Sequence, residues 1–149
     1  MVEGHEGVFV TGSTGFLGSF IVRELLSATD VSIYVLVRAQ DEREARVRLR
    51  NLWWEQPELR DSVGVRVIPI VGDLAQPGMA LSAADRTSVL KACSCVVHAA
   101  AQVEIMKSRA EMQRINVGGT REALELAREM QVTGGFERFA FVSTAYVAG

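Results

Sequence analysis

Residues 7–26, GVFVTGSTGFLGSFIVRELL, decide the fold of this chain. Val8, Phe9 and Val10 form a short apolar run that reads as a buried strand, and it leads directly into Gly12, Gly15 and Gly18 at three-residue spacing. Phe16, Leu17, Phe20, Ile21 and Leu25 follow in a helical apolar pattern, so the stretch is strand, glycine turn, helix. That order suits a pyrophosphate. The glycines let the backbone approach the phosphates, and the free N–H groups of the first helical turn, at the positive end of the helix dipole, point at them. A glycine triplet alone is a weak signal, but here the strand and helix that the motif requires stand on either side of it.

The alternation continues downstream. Residues 31–37 (VSIYVLV) are a second apolar run, read as a strand buried on both faces and ending at Arg38. Residues 41–56 are helical and highly charged, with Leu49, Leu52 and Trp53 as the expected buried side. Asp41 and Glu44 resemble a capping box, and Pro57 marks the end region of that helix. Residues 65–71 (VRVIPIV) make a third strand, which Pro69 places at a sheet edge. After Gly72-Asp73-Leu74 and a turn-rich link, Ser82 caps a helix that runs to about Ala92. Residues 95–98 are a fourth strand leading into Ala99-Ala100-Ala101, 112–130 a long amphipathic helix, and 139–143 a fifth strand.

Strands alternating with helices at this spacing predict an α/β, Rossmann-type, doubly wound parallel sheet in the order 3-2-1-4-5, with helices on both faces. Length points to one domain, residues 1–149. The 48% hydrophobic and 23% charged composition is that of an ordinary globular protein. A formal charge of −2 gives no electrostatic reason for nucleic acid or an anionic membrane as partner. Cys93 and Cys95, one residue apart, fit neither a disulfide loop nor zinc-finger spacing, so no metal is expected and reduced thiols suit a cytoplasmic protein. No apolar run approaches a membrane span of ~20 residues, and the N-terminus lacks the pattern of a secretory signal.

In such sheets ligands bind beyond the carboxyl ends of the strands, beside the switch between strands 1 and 4. The chemistry is therefore expected at residues 12–18, Arg38, Asp73, residues 98–101, and Ser143 with Thr144. Arg38 stands twenty residues after Gly18 at the end of the second strand. An acid there would take the ribose 2′-hydroxyl of NAD, whereas an arginine suits the 2′-phosphate of NADP. Arg48 is the best second cation. Asp73 has two readings, a hydrogen-bond acceptor for the adenine amino group or a turn-forming aspartate. His98 reads as a packed, hydrogen-bonded residue in front of the small Ala99–Ala101 wall, against which a cofactor lies. Asn116, within a helix, is either solvated or supports a strand end. A hydroxyl at Ser143 or Thr144 could stabilise the charge that forms on a substrate carbonyl as hydride arrives. No Gly-x-Ser-x-Gly elbow is present, which removes a serine hydrolase.

Together Thr11-Gly12-Ser13-Thr14-Gly15-Phe16-Leu17-Gly18, Gly72-Asp73-Leu74, His98-Ala99-Ala100, Asn116-Val117-Gly118-Gly119-Thr120 and Val142-Ser143-Thr144 resemble the extended short-chain dehydrogenase/reductase superfamily. Within it the chain looks most like the thioester reductase domains of nonribosomal peptide and polyketide synthases and of carboxylic acid reductases, with fatty acyl-CoA reductases as relatives. The resemblance implies that Gly12, Gly15 and Gly18 hold the pyrophosphate, and Ser13, Thr14, Phe16 and Leu17 of the same turn are also expected to bind the cofactor. It implies that Arg38 takes the 2′-phosphate, with Arg48 the expected second cation, that Asp73 and Leu74 take the adenine and that Ala99, Ala100 and Ala101 line the cofactor, and Asn116 is also expected to bind it. Thr144 takes the place of the substrate-orienting Ser/Thr. The implied reaction is hydride transfer from NADPH to an acyl thioester on a carrier protein or CoA, releasing an aldehyde or, after a second reduction, an alcohol. The family's proton donor, a tyrosine with a lysine four residues on, is expected well beyond Thr144; Tyr146 is too close to it for that role. The chain thus reads as the front part of a longer enzyme. Two other readings are a sugar-nucleotide epimerase or dehydratase of the same superfamily, which would use NAD and against which Arg38 argues, and a non-catalytic dinucleotide-binding module.

Overall fold

Short runs of β-branched residues separated by helical periods give five strands: β1 (Gly7–Thr11), β2 (Ile33–Val37), β3 (Val67–Val71), β4 (Cys93–His98) and β5 (Arg138–Phe141). In the computed structural model, which describes residues 6–104 and 106–143, they form one parallel sheet in the expected order β3-β2-β1-β4-β5. The central strand β1 pairs through Val8 with Ile33 on one side and Cys95 on the other. Pro69 does lie on an edge strand, where its missing N–H costs no ladder bond.

Alternation along β1 divides the core. Val8 and Val10 point to the face covered by α1 (Phe16–Ala28), α2 (Glu42–Leu52) and α3 (Pro57–Ser62), where they meet Val22, Leu49, Trp53 and Leu59. Phe9 points to the opposite face, covered by α4 (Ala83–Ala92) and α6 (Gly119–Thr133), where it joins Val89, Leu126 and Met130. Ser82 caps α4 as expected, its hydroxyl accepting from the Asp85 amide. Gly134 ends α6 with φ of 86°, a left-handed cap that glycine adopts without a side-chain clash.

Three helical readings change. Pro57 begins α3 instead of ending the preceding helix, because a first-turn position requires no N–H. Leu52 is half-exposed. The helix ends there, and the chain turns at Trp53, whose ring is fully buried and whose Nε1–H donates to Ser19 Oγ at 2.9 Å. The long helix starts earlier, at α5 (Arg109–Met112), on a capping box made by Ser108 and Glu111. It then passes through one wider π-turn (Gln113–Gly118) into α6. Strands β2 and β3 begin two residues later than the apolar runs suggest, β4 two earlier, and β5 is shifted one residue towards the N-terminus and ends at Phe141.

Candidate functional site

At the carboxyl ends of β1 and β4, Thr11 stands opposite His98, and the chain leaves the two strands in different directions. This switch opens a cleft of about 330 Å³. Of the residues expected from sequence, Gly12, Thr14, Gly15, Arg38, Arg48, Asp73, Leu74 and Ala99–Ala101 all line it. Residues distant in sequence thus meet at one sheet end.

The three glycines have different tasks. Gly12 has φ of 80°, and a Cβ on it would lie 2.5 Å from the Ala100 nitrogen, so the turn leans directly on the wall that follows β4. The Gly15 amide donates to the Gly12 carbonyl at 3.0 Å and closes the turn. Gly18 seats α1 on the turn, because a Cβ there would collide with the Gly12 carbonyl and the Ser13 Cα. Gly15 is different: its Cβ would meet only the Gly12 oxygen, at 3.4 Å, so its open side is free for a ligand.

The start of α1 is suited to an anion. Helices α2, α4 and α5 each begin on a side chain that caps them, Asp41, Ser82 and Ser108. Helix α1 begins at Gly15 with no side-chain cap and no acidic residue in its first turn. Its first intrahelical bond runs from the Ser19 amide to the Gly15 carbonyl, so the first-turn amides before Ser19 need an acceptor from outside the helix.

Across the cleft, Arg48 donates to the Arg38 carbonyl at 2.7 Å and so braces the end of β2. The exposed Arg38 guanidinium makes no hydrogen bond or ion pair among the described residues, and neither does that of Arg114, which also lines the cleft. Asp73 forms the turn that one of its two readings expected. Its Oδ1 accepts from the Ala75 amide at 2.9 Å, forming a turn, and the residue still edges the cleft. Leu74 is nearly buried against Gly119, where a Cβ would lie 2.6 Å from the leucine Cγ.

Not every expected residue faces the cleft. Ser13 is fully buried under the turn, its Oγ without a partner among the described residues. Gly18 acts from behind the turn, as above. Phe16 and Leu17 do not line the cleft either, and their side chains, 84% and 49% exposed, leave the core, which corrects the apolar face read for α1; only Gly18 and Val22 of that helix are buried. The side-chain amide of Asn116 is taken by the wall itself. Its Oδ1 accepts from the Gln102 amide at 2.7 Å and its Nδ2 donates to the Gln102 carbonyl at 3.1 Å, so it holds the segment after β4 and does not line the cleft. Thr144 lies outside the described residues. Sequence reading missed Leu36, Gly72, Ala75, Gln102, Arg114 and Ile115 as lining residues. A straight helix through residues 112–130 carries no sign of which side chains the π-turn brings to the cleft.

His98 is fully buried, between Thr11 and Thr120. Burial lowers its pKa from the ordinary 6.5. The unfolded chain therefore binds this proton more readily than the folded one. Its contribution to stability is complete above pH 6.5 and is lost as pH falls from there through the depressed folded value. Urea unfolding midpoints should decline as pH falls below about 6.5, and a His98→Gln variant should lack this component of the decline.

A larger, mainly apolar groove of about 690 Å³ lies elsewhere, along α6 and β5, lined by Val117, Leu124, Phe136, Phe139 and Phe141 among others. Among the described residues no cluster of His, Cys, Asp and Glu could hold a metal, and no helix is long and apolar enough to cross a membrane. Cys93 and Cys95 are both free, and burial, with Cys95 adding to it, pushes the Cys93 thiol up to about 12.

Comparison with known proteins agrees with this geometry. The family model described as Male sterility protein, an NAD-binding family, matches residues 10–149. A linear gramicidin synthase of Brevibacillus parabrevis is 38% identical over 122 residues, covering 82% of this chain and 2% of that protein. The fatty acyl-CoA reductase wat of Drosophila melanogaster is 32% identical over 147 residues, covering 95% of this chain and 28% of that protein. Among solved structures, the terminal R domain from the myxalamid PKS-NRPS biosynthetic pathway superposes with a TM-score of 0.81 at 32% identity, covering 97% of this chain and 36% of that one. The chain therefore spans less than a third of the length of these curated relatives.

Proposed function

This chain belongs to the Male sterility protein family of NAD-binding reductases, and from that premise we propose that it is the NADPH-binding portion of a thioester reductase. The whole enzyme would release an acyl group from a carrier protein or CoA as an aldehyde or alcohol. The observation that carries the reading is the cleft at the switch point, with an uncapped helix start on one side and, on the other, an Arg38 guanidinium with no partner among the described residues.

The residues present fit a phosphorylated dinucleotide. The open side of Gly15 and the first-turn amides of α1 would hold the pyrophosphate. The Arg38 guanidinium would take the 2′-phosphate, with Arg48 fixing the backbone from which it projects. Asp73 and Leu74 would edge the adenine, and Ala99–Ala101 would lie along the nucleotide. When bound, NADPH supplies a hydride and its electron pair to a thioester carbonyl. The chain's contribution is to hold and orient: the small Ala99–Ala101 side chains leave room at the end of β4, and Thr144 is assigned to hydrogen-bond the substrate carbonyl. The two free cysteines support a reducing, cytoplasmic setting.

Calorimetry on this chain tests the cofactor half of the reading, and NADPH is expected to bind more tightly than NADH. Equal affinities would remove the NADP assignment. Aldehyde release from an acyl thioester, assayed with the chain extended along its reading frame, tests the reaction. No turnover by an extended form that binds NADPH would favour a non-catalytic dinucleotide module.

A further inference from the structure

We propose that His98 is a positioning residue for the dinucleotide cleft, the centre of a one-directional hydrogen-bond relay that ties the root of the glycine turn to the π-turn and so fixes the wall from Ala99 to Gln102. The inference rests on the proposed dinucleotide site, because the wall it fixes is one side of that site.

The direction of the relay follows from its last hydroxyl. Thr120 Oγ1 donates its only proton to the Asn116 carbonyl at 2.6 Å. At 3.0 Å from His98 Nε2 it can then only accept, so the ring carries its hydrogen on Nε2. In a neutral ring Nδ1 is then an acceptor, and the Thr11 hydroxyl, 2.6 Å away, donates to it. Thr11 Oγ1 in turn accepts from the Ala100 amide at 3.4 Å. Every proton points the same way, from the Ala100 amide through Thr11, His98 and Thr120 to the carbonyl of Asn116.

Both ends of the relay reach the same wall. At one end is the Ala100 amide, beside which Gly12 packs; at the other is Asn116, whose side chain grips the Gln102 backbone by two bonds. The π-turn that carries Asn116 also brings Arg114 and Ile115 to the cleft. Releasing the ring frees the wall at two points, and releasing Thr120 removes the brace on the π-turn.

Among the described residues, the groups around the ring leave it no ionic partner. β1 supplies Thr11, β5 supplies the rings of Phe139 and of Phe141, the latter stacked at 5.6 Å, and α6 supplies Thr120. Arg121, the next residue of α6, lies in the outer groove, and burial is the influence on the titration of His98. A second proton on the ring would face Thr11 Oγ1, whose hydroxyl hydrogen would have to find another acceptor.

The test compares Thr120→Val, which keeps the shape and removes both hydrogen bonds, with Thr120→Ser, which keeps them. Valine should weaken NADPH and NADH alike, by about tenfold, and serine should restore both. Binding to the unaltered chain should weaken as His98 takes up a proton at low pH, and the valine variant should lose most of that dependence. Nitrogen-15 shifts of the imidazole should report the Nε2–H tautomer near neutral pH. A valine variant with a lowered melting temperature but normal affinity and an unchanged pH profile would reduce His98 to a packing residue and overturn the proposal, as would an Nδ1–H tautomer. Hydrogen exchange at the Gln102 amide reads the coupling with no ligand present. Faster exchange in the valine variant supports the relay even where the chain binds neither dinucleotide, a result that would count against the proposed function alone. Unchanged exchange overturns the relay.

Discussion

Gly18→Ala is expected to lower the melting temperature by roughly 6–12 °C, from a cost of about 3 kcal/mol, and to leave no measurable NADPH binding. The added methyl would overlap the Gly12 carbonyl and crowd the Ser13 Cα, all backbone atoms that no rotamer change can move. Relief requires α1 to withdraw from the turn. The helix carries Val22 into the core shared with Trp53 and Leu49, so that movement disrupts packing as well as the phosphate seat. Gly15→Ala is the informative partner. Its Cβ would meet only the Gly12 oxygen at 3.4 Å, so the fold should survive with a melting temperature near that of the parent. Binding should still fall at least about tenfold, because the methyl occupies the space through which a pyrophosphate would approach the backbone. Differential scanning calorimetry and titration calorimetry on both variants separate the two roles. A Gly18→Ala protein with unaltered melting and binding would show that the close approach of helix and turn is unimportant.

Arg38→Ala carries the second large effect, on selectivity. NADPH affinity should drop roughly 10- to 100-fold, the loss expected for charge-assisted bonds to a phosphate, while NADH affinity changes little. The guanidinium has no partner among the described residues to lose, so the substitution leaves no buried group unpaired and the fold should be unaffected. Arg48→Ala should give a smaller version of the same loss, because its clearest contact is the Arg38 carbonyl. Arg114→Ala should weaken both dinucleotides to a similar extent, since it enters the cleft from the π-turn on the opposite wall. Equal losses for NADPH and NADH in Arg38→Ala would make Arg38 a general anion contact and withdraw the 2′-phosphate role.

The chain's own sequence determined the sheet and the place of its cleft. Five apolar runs with β-branched residues, separated by helical periods, leave a right-handed parallel sheet as the economical arrangement, and the order β3-β2-β1-β4-β5 follows. The glycine turn, Arg38, Asp73 and the alanines were legible because each stands at the carboxyl end of a strand or directly after one, where topology fixes position within a residue or two. Local chemistry also identified the caps at Asp41 and Ser82, since a capping side chain acts on an amide three residues away.

Tertiary structure decided what depends on contacts between distant segments. Phe16 and Leu17 carry an apolar pattern indistinguishable from a core face, yet the close seat of Gly18 rotates α1 so that Val22 is buried in their place. Pro57 could end one helix or begin another, and burial of Trp53 selects the second by turning the chain at that point. Asn116 could be read as solvated, as supporting a strand end or as binding a cofactor; its partner is the Gln102 backbone, fourteen residues away, and only the folded loop brings them together. His98 is the clearest case. Its place at a strand end was readable, but Thr11 lies eighty-seven residues before it and Thr120 twenty-two after it. Periodicity and turn chemistry report interactions within a few residues, whereas a buried hydrogen-bond relay exists only once the sheet has aligned β1, β4 and the last helix.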